Sequence, residues 1–319
     1  MNISVIGCGR WGAFIAWYLD SIGHNVTVFG PEEAPQIHEF IKTRTNGTIT
    51  FRQEVKLTTS LADAMANDTI VISIPSQNLR SLMGDMAPFA PKNKTFILCM
   101  KGIEITTGKR LSEVVSEYYG KENRTAVWIG PGHPQEFVRG VPNCMVIDSL
   151  HEDVKTRLVD EFSSPLIRFY YGNDIIGNEL GAATKNVIGI AAGMLDGAGI
   201  SSLKGALMSR ATTEIARFIG VMGGDSRSAY GLCHLGDYEA TVFSAFSHNR
   251  AFGEAFIKGE TFTSLAEGYY TAEAVHRIAK QNNIDMPICE AVYQMLYEKA
   301  DPHEVITSLF SRPLKKEFN

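Results

Sequence analysis

The first twelve residues set an apolar run, three glycines and the start of a second apolar pattern in immediate succession: Met-Asn-Ile-Ser-Val-Ile-Gly7-Cys-Gly9-Arg10-Trp11-Gly12. Ile3, Val5 and Ile6 read as a short buried strand, and Ala13, Phe14, Ala16, Trp17 and Leu19 supply the apolar positions of a following helix. Gly7 permits a tight turn, Gly9 lets the backbone approach a pyrophosphate, and Gly12 lets helix and strand pack closely. The helix N-terminus then offers free N–H groups to the phosphates. Glycines also serve ordinary turns, but a second strand at Asn25–Phe29 completes a βαβ start. The stretch is therefore read as a dinucleotide site.

A chain of 319 residues with 45% hydrophobic content can fill two cores. Up to about residue 170 strands and helices alternate, as in a parallel sheet. The expected strands are Ile3–Ile6, Val26–Phe29, Val55–Thr58, Ile70–Ile74, Thr95–Cys99, Ala126–Ile129, Met145–Asp148 and Ile167–Tyr170. Leu61–Ala66, Gln77–Met86, Lys109–Tyr119 and Asp153–Phe162 read as crossover helices. From Asp174 the strand signals stop, and helices are expected at Ile176–Leu195, Gly205–Met222, Phe246–Ile257, Thr271–Gln281, Ile288–Glu298 and Pro302–Leu309. The fold class is α/β: an N-terminal Rossmann-type, mostly parallel sheet over residues 1–172, then an all-helical substrate and catalytic domain over 173–319. The cleft between them is the expected site.

The net charge of −5 and the lack of a basic block argue against nucleic acid and anionic membranes as partners. A small molecule is expected instead. Five scattered cysteines without CxxC or zinc spacing read as free thiols in a reducing compartment, which points to the cytoplasm. No run approaches a membrane span, and the N-terminus has no basic leader.

The helix at Ile176–Leu195 is apolar or small nearly all round, with Lys185 as its only cation. A buried ammonium must be paired or used, and burial lowers its pKa toward a value useful in proton transfer. A lysine that snorkels to the helix edge is the alternative. A second cluster runs Gly231-Leu-Cys-His234-Leu-Gly236-Asp237-Tyr-Glu-Ala-Thr241, followed by Ser247-His248-Asn249-Arg250. Its glycines bracket a turn presenting Asp237, and a helical turn there would set Thr241 on the same side. Lys101-Gly102 follows the fifth strand, at the carboxyl end where parallel sheets place ligand groups. Each cluster taken singly could be a solvated loop.

In this order the motifs resemble the soluble bacterial NAD(P)-dependent glycerol-3-phosphate dehydrogenases. The match comprises Gly7-x-Gly9-x-x-Gly12, Lys101-Gly102, Gly130-Pro131, Lys185-Asn186-Val187-Ile188, Gly-Leu-x-x-Leu-Gly-Asp237 with Thr241, Ser247-x-Asn249-Arg250, and Glu267-Gly268. The resemblance implies reversible hydride transfer between NAD(P)H and C2 of dihydroxyacetone phosphate, giving the sn-glycerol 3-phosphate of the glycerophospholipid backbone. It makes Lys185 the general acid/base, with Lys101, Asp237 and Thr241 beside it. Gly130, Gly132, Asn186, Ser247, His248, Asn249 and Arg250 join Lys101, Lys185 and Asp237 around the phosphorylated substrate. Gly7, Gly9, Arg10, Trp11, Gly12, Lys101, Pro134, His248 and Glu267 line the cofactor. No metal is implied, because the lysines take the electrophilic role. A homodimer is implied by the resemblance alone.

Two departures stand out. The family reads Gly-Pro-Ser-Phe-Ala where this chain has Gly130-Pro131-Gly132-His133-Pro134, and Ser-Arg-Asn-Arg where it has Ser247-His248-Asn249-Arg250. His248 lacks the guanidinium fork expected to grip phosphate, so either a divergent member binds the same substrate or the substrate has no phosphate dianion. Arg250 is the candidate to compensate. His234 also stands for a small residue beside the Asp237 turn. Related dehydrogenases of other keto or imino substrates, or a dinucleotide-binding protein without catalysis, are the alternatives. After the second strand, Phe29-Gly30-Pro31-Glu32-Glu33 carries neither the acidic NAD signature nor the NADP arginine. Glu32 and Glu33 would repel a 2′-phosphate and Arg10 could attract one; the balance leans to NAD.

Overall fold

A computed structural model describes residues 1–319 except 121, 315, 318 and 319. The β-branched runs form β1 (Asn2–Ile6), β2 (Asn25–Phe29), β3 (Lys56–Thr58), β4 (Thr69–Ile72), β5 (Thr95–Leu98), β6 (Arg124–Ile129), β7 (Asn143–Ser149) and β8 (Ile167–Tyr171). They make one sheet in the order β3-β2-β1-β4-β5-β6-β7-β8, so all eight expected strands are present. Every pairing is parallel except β6 with β7. The link between those strands holds the five-residue helix Pro134–Val138, and β7 returns beside β6 in the opposite direction.

The interspersed helices are α1 (Arg10–Ser21), α2 (Pro35–Thr43), α3 (Leu61–Met65), α4 (Leu79–Met86), α5 (Leu111–Tyr118), α6 (Pro134–Val138) and α7 (Glu152–Phe162). α2 and α6 were not expected. Each opens on a proline in a turn-like stretch, and α2 buries only Ile37 and Phe40, too few to print a helical period. Alternate residues along the strands feed two cores: Ile3, Val5, Val28 and Val71 on one face, Ile6, Ile70, Ile72 and Leu98 on the other. Strand order reverses beside β1, whose neighbours are β2 and β4. The crevice at that switch point is where such sheets take ligands.

Three residues after β8 the helical part begins with α8 (Ile175–Gly197), followed by α9 (Lys204–Val221), α10 (His248–Lys258), α11 (Glu267–Gln281), α12 (Pro287–Tyr297) and α13 (Pro302–Phe310). α8 is buried from Gly177 to Leu195. α10 lies against it closely enough that a Cβ at Gly193 would meet the Arg250 carbonyl oxygen at 1.9 Å, and one at Gly253 the Ile190 oxygen at 2.1 Å. Backbone contact of this kind fixes where α10 sets His248 relative to Lys185. Among the described residues no helix is long and apolar enough to cross a membrane.

Candidate active site

The glycine loop closes the switch point. Gly7 has φ of +108°, its N–H donates to the Phe29 carbonyl, and a Cβ there would lie 2.2 Å from the Ser73 carbonyl oxygen on the neighbouring strand's extension. A Cβ at Gly12 would lie 1.9 Å from the Gly7 oxygen, so α1 can start here only with glycine. A Cβ at Gly9, the cap of α1, meets nothing within 4 Å. The loop therefore has two glycines demanded by packing and one with open space in front of it, beside uncapped helix N–H groups. A dinucleotide pyrophosphate fits that opening.

Lys185 points from the middle of α8 to a turn at Leu235–Asp237, tied by a bond from Gly236 N–H to the Gly231 carbonyl. Its Nζ is 2.9 Å from Asp237 Oδ2 and donates to Thr241 Oγ1 at 2.7 Å. A wide π-helical turn at Glu239–Phe243 carries Thr241 over the lysine. Lys101, just beyond β5, donates to the same Asp237 Oδ2 at 2.6 Å and to the Gly130 carbonyl at 2.7 Å, and its ammonium lies 5.8 Å from the centre of the Trp11 ring. Two ammonium groups thus share one carboxylate oxygen. The other, Asp237 Oδ1, is buried and has no protein partner, which leaves an acceptor for a ligand hydroxyl. Burial lowers the Lys185 pKa to about 8, with Lys101 pushing the same way and Asp237 opposing.

A relay of amides joins the two domains. Asn186 donates to the Lys101 carbonyl at 3.0 Å, Asn249 donates to Asn186 Oδ1 at 3.0 Å, and Gly268 N–H donates to Asn249 Oδ1 at 2.9 Å. Next to it Glu267 accepts from Ser76 N–H at 2.8 Å and from the Ser76 hydroxyl, and burial raises its pKa. Ser76 escaped the sequence reading, although it follows β4 as Lys101 follows β5, and the same carboxyl-end rule points to it.

The three histidines have separate jobs. His234 is fully buried and held neutral by burial, its pKa down to about 4; Nδ1 donates to the Gly181 carbonyl and Nε2 accepts from the Tyr238 hydroxyl. It braces the Asp237 turn against α8. His133, also lowered to about 4 by burial, donates to the Ala240 carbonyl at 3.0 Å, tying the Gly130–Pro134 loop to the turn below Thr241. His248 opens α10, with Ser247 as its cap, and its Nε2 is 3.3 Å from Arg10 Nη1.

The structure brings Lys185, Lys101, Asp237, Thr241, Gly130, Asn186 and Asn249 into one bonded network. Arg250 is held elsewhere: its guanidinium is taken by Asp196 at 2.8 Å, Glu254 at 3.0 Å and the Ser244 carbonyl at 3.2 Å. Gly132 has φ of +135° and packs on the Phe137 ring, and Pro134 starts α6 beside it.

A Rossmann-type sheet, a glycine loop at its switch point and a buried lysine–carboxylate cluster set by a helical part together define a dinucleotide-dependent dehydrogenase. Models of the NAD-dependent glycerol-3-phosphate dehydrogenase N-terminus and C-terminus match residues 2–155 and 174–307. Glycerol-3-phosphate dehydrogenase, NAD(P)+, of Thermoanaerobacter sp. (strain X514) is 35% identical, covering 100% of this chain and 99% of that protein; the one of Thermotoga sp. (strain RQ2) is 36% identical with the same coverage. The crystal structure of glycerol-3-phosphate dehydrogenase from Coxiella burnetii superposes with a TM-score of 0.92 at 27% identity, covering 98% of this chain and 99% of that one. The chain belongs to the NAD-dependent glycerol-3-phosphate dehydrogenase family.

Proposed function

We propose that this chain transfers a hydride reversibly between NAD(P)H and C2 of dihydroxyacetone phosphate, giving sn-glycerol 3-phosphate. The observation that carries the reading is the pair Lys185 and Lys101 on one oxygen of Asp237, at the carboxyl ends of the strands beside the glycine loop. A bound NAD(P)H supplies the hydride. Protonated Lys185 donates a hydrogen bond to the carbonyl oxygen, stabilises the negative charge that develops there, and passes its proton to the alkoxide. A pKa near 8 suits both directions: the ammonium form serves reduction and the neutral amine accepts the proton in oxidation. Thr241 and Asp237 fix where Nζ points. Lys101 faces the same oxygen or its neighbouring hydroxyl, and Asp237 Oδ1 accepts from a substrate hydroxyl. Asn186 and the α10 start at Ser247, His248 and Asn249 form the phosphate end, and Glu267 borders the nicotinamide half.

Residues 1–172 form the cofactor domain and 173–319 the substrate domain. Gly30 cannot hold a selective side chain, since its Cβ would lie 2.7 Å from both Cys8 Sγ and Ile37 Cβ. Coenzyme choice therefore falls to Glu32 and Glu33, which favours NAD. A cytoplasmic homodimer completes the reading. The test is oxidation of NADH with dihydroxyacetone phosphate; no turnover at millimolar substrate would refute it.

A further inference from the structure

Arg10 belongs by sequence to the glycine loop, yet its side chain crosses to the helical domain. Nη1 lies 3.3 Å from the Phe246 carbonyl oxygen and 3.3 Å from His248 Nε2, more than 230 positions along the chain. A guanidinium offers five N–H donors, and these two long contacts use a single nitrogen. Among the described residues no carboxylate lies within ion-pair distance of it. Arg250, two residues beyond His248, has its charge met by Asp196 and Glu254. Of the two arginines at this end, only Arg10 retains a charge with no anion beside it.

The partner chosen for Arg10 preserves that charge. His248 Nδ1 is 3.3 Å from the Leu265 carbonyl, an acceptor, so the ring proton sits on Nδ1 and Nε2 presents a lone pair to Arg10. Burial and the Arg10 charge both keep the ring neutral. A neutral imidazole holds the guanidinium in place without cancelling it, as a carboxylate would. The next residue, Trp11, lies under the Lys101 ammonium. Consecutive residues, Arg10 and Trp11, thus touch His248 and Lys101. His133 lies between: its ring sits 5.5 Å from that of Phe246, and the Lys185 and Arg10 charges both oppose its protonation. Lys101 and Lys185 thus share the one carboxylate of Asp237 while Arg10 has none, a balance that calls for an anionic ligand.

We infer that Arg10, held by His248, is the cation that recognises the phosphate group of the substrate, so that the cofactor loop itself selects phosphorylated over unphosphorylated ketones. The inference rests on the reaction proposed above. It makes Arg10 a specificity-determining residue, and His248 a positioning residue that acts through it.

The experiment compares the wild type with Arg10→Gln, His248→Arg and the double variant, measuring KM and kcat for dihydroxyacetone phosphate and for dihydroxyacetone, and Kd for NADH, NADPH and inorganic phosphate. Charge-assisted bonds of this kind are worth a KM increase of roughly 10- to 100-fold for the phosphorylated ketone in Arg10→Gln. Expected alongside are changes in NADH Kd and in kcat/KM for dihydroxyacetone several-fold smaller than the change in KM for the phosphorylated ketone, and a retained melting transition. His248→Arg in the Arg10→Gln background restores the low KM by returning a guanidinium to the same place. A loss confined to NADH affinity would overturn the inference by assigning Arg10 to the cofactor's pyrophosphate, and one confined to NADPH would assign it to the 2′-phosphate. If the wild type turns over no phosphorylated ketone, the proposed reaction fails. The inference is then decided by inorganic phosphate: binding lost in Arg10→Gln upholds an anion site, and equal binding removes it.

Discussion

At Gly7 and Gly12 a single added carbon would drive into a backbone carbonyl, whereas Lys185 is crowded by two further charged side chains, Lys101 and Asp237, and the Thr241 hydroxyl. The first region works by atoms left out, so its tolerance is steric and all-or-none. The second works by charge balance, so substitutions there change rates and pH profiles more than they change the fold. The two adjoin where the Lys101 ammonium lies 5.8 Å from the Trp11 ring, and the contrast predicts different failures for neighbouring parts of one site.

Removing the charge gives the largest effect. Lys185→Ala leaves Asp237 paired with Lys101, so the fold should hold while kcat drops by roughly 10²- to 10⁴-fold. A variant that lost its melting transition instead would place Lys185 among the structural groups and erase the contrast. Gly12→Ala should behave in the opposite way, unfolding several degrees earlier and losing dinucleotide affinity together, because overpacking against backbone costs about 1–3 kcal/mol or more. Gly9→Ala sharpens the point: its φ of −70° suits any residue and its Cβ meets no protein atom, so thermal stability should stay within error while the Kd for NADH rises. Equal destabilisation by the two alanines would show that the loop has no open position.

Smaller effects concern protons. On the proposed mechanism reduction uses the Lys185 ammonium, so kcat/KM for the ketone should fall as pH rises through about 8, while oxidation of the alcohol gains over the same range. Asp237→Asn removes the charge that favours the ammonium, and the break should move to lower pH; a profile unmoved by that change would mean Asp237 acts by shape alone. Glu214 supplies the matching case of a buried carboxyl without an ion pair. It accepts from the Ile288 and Cys289 N–H groups at the start of α12 and from the Cys289 thiol, and burial lifts its pKa from the ordinary 4.5 to about 7 against these bonds and the Arg217 charge. The native state therefore binds more protons than the unfolded chain between those values, so stability falls as pH rises from 4.5 to 7, by up to a few kcal/mol, and then levels off. Glu214→Gln should flatten that slope in denaturant titrations at several pH values.

The Rossmann half was legible because its signals are local. Strand runs of three to seven residues and a glycine turn obey short-range sterics, and the bounds of the eight expected strands lie within two residues of those observed. Helix starts were less legible where capping decides them: α10 begins at His248 because Ser247 accepts from Arg250 N–H, and α11 begins at Glu267, four residues before the expected start. The roles of His133 and His234 were illegible. Each owes its place to a carbonyl on a distant segment, Ala240 for one and Gly181 for the other. The antiparallel β7 was also beyond periodicity, which reports that a strand exists and is silent on its direction.

The sequence by itself determined the dinucleotide loop, the alternation of strand and helix, the buried lysine helix and the order of motifs that marks the family, because each is written in neighbouring residues whose backbone preferences do not need the rest of the chain. Only the tertiary structure decided which charges meet. It set Lys101 and Lys185 on one oxygen of Asp237, tied Glu267 to Ser76, drew Arg250 away to Asp196 and brought Arg10 across to His248. Those pairings span 52 to 238 positions. Electrostatic partnership depends on distance in space and on burial, and neither can be read from separation along the chain.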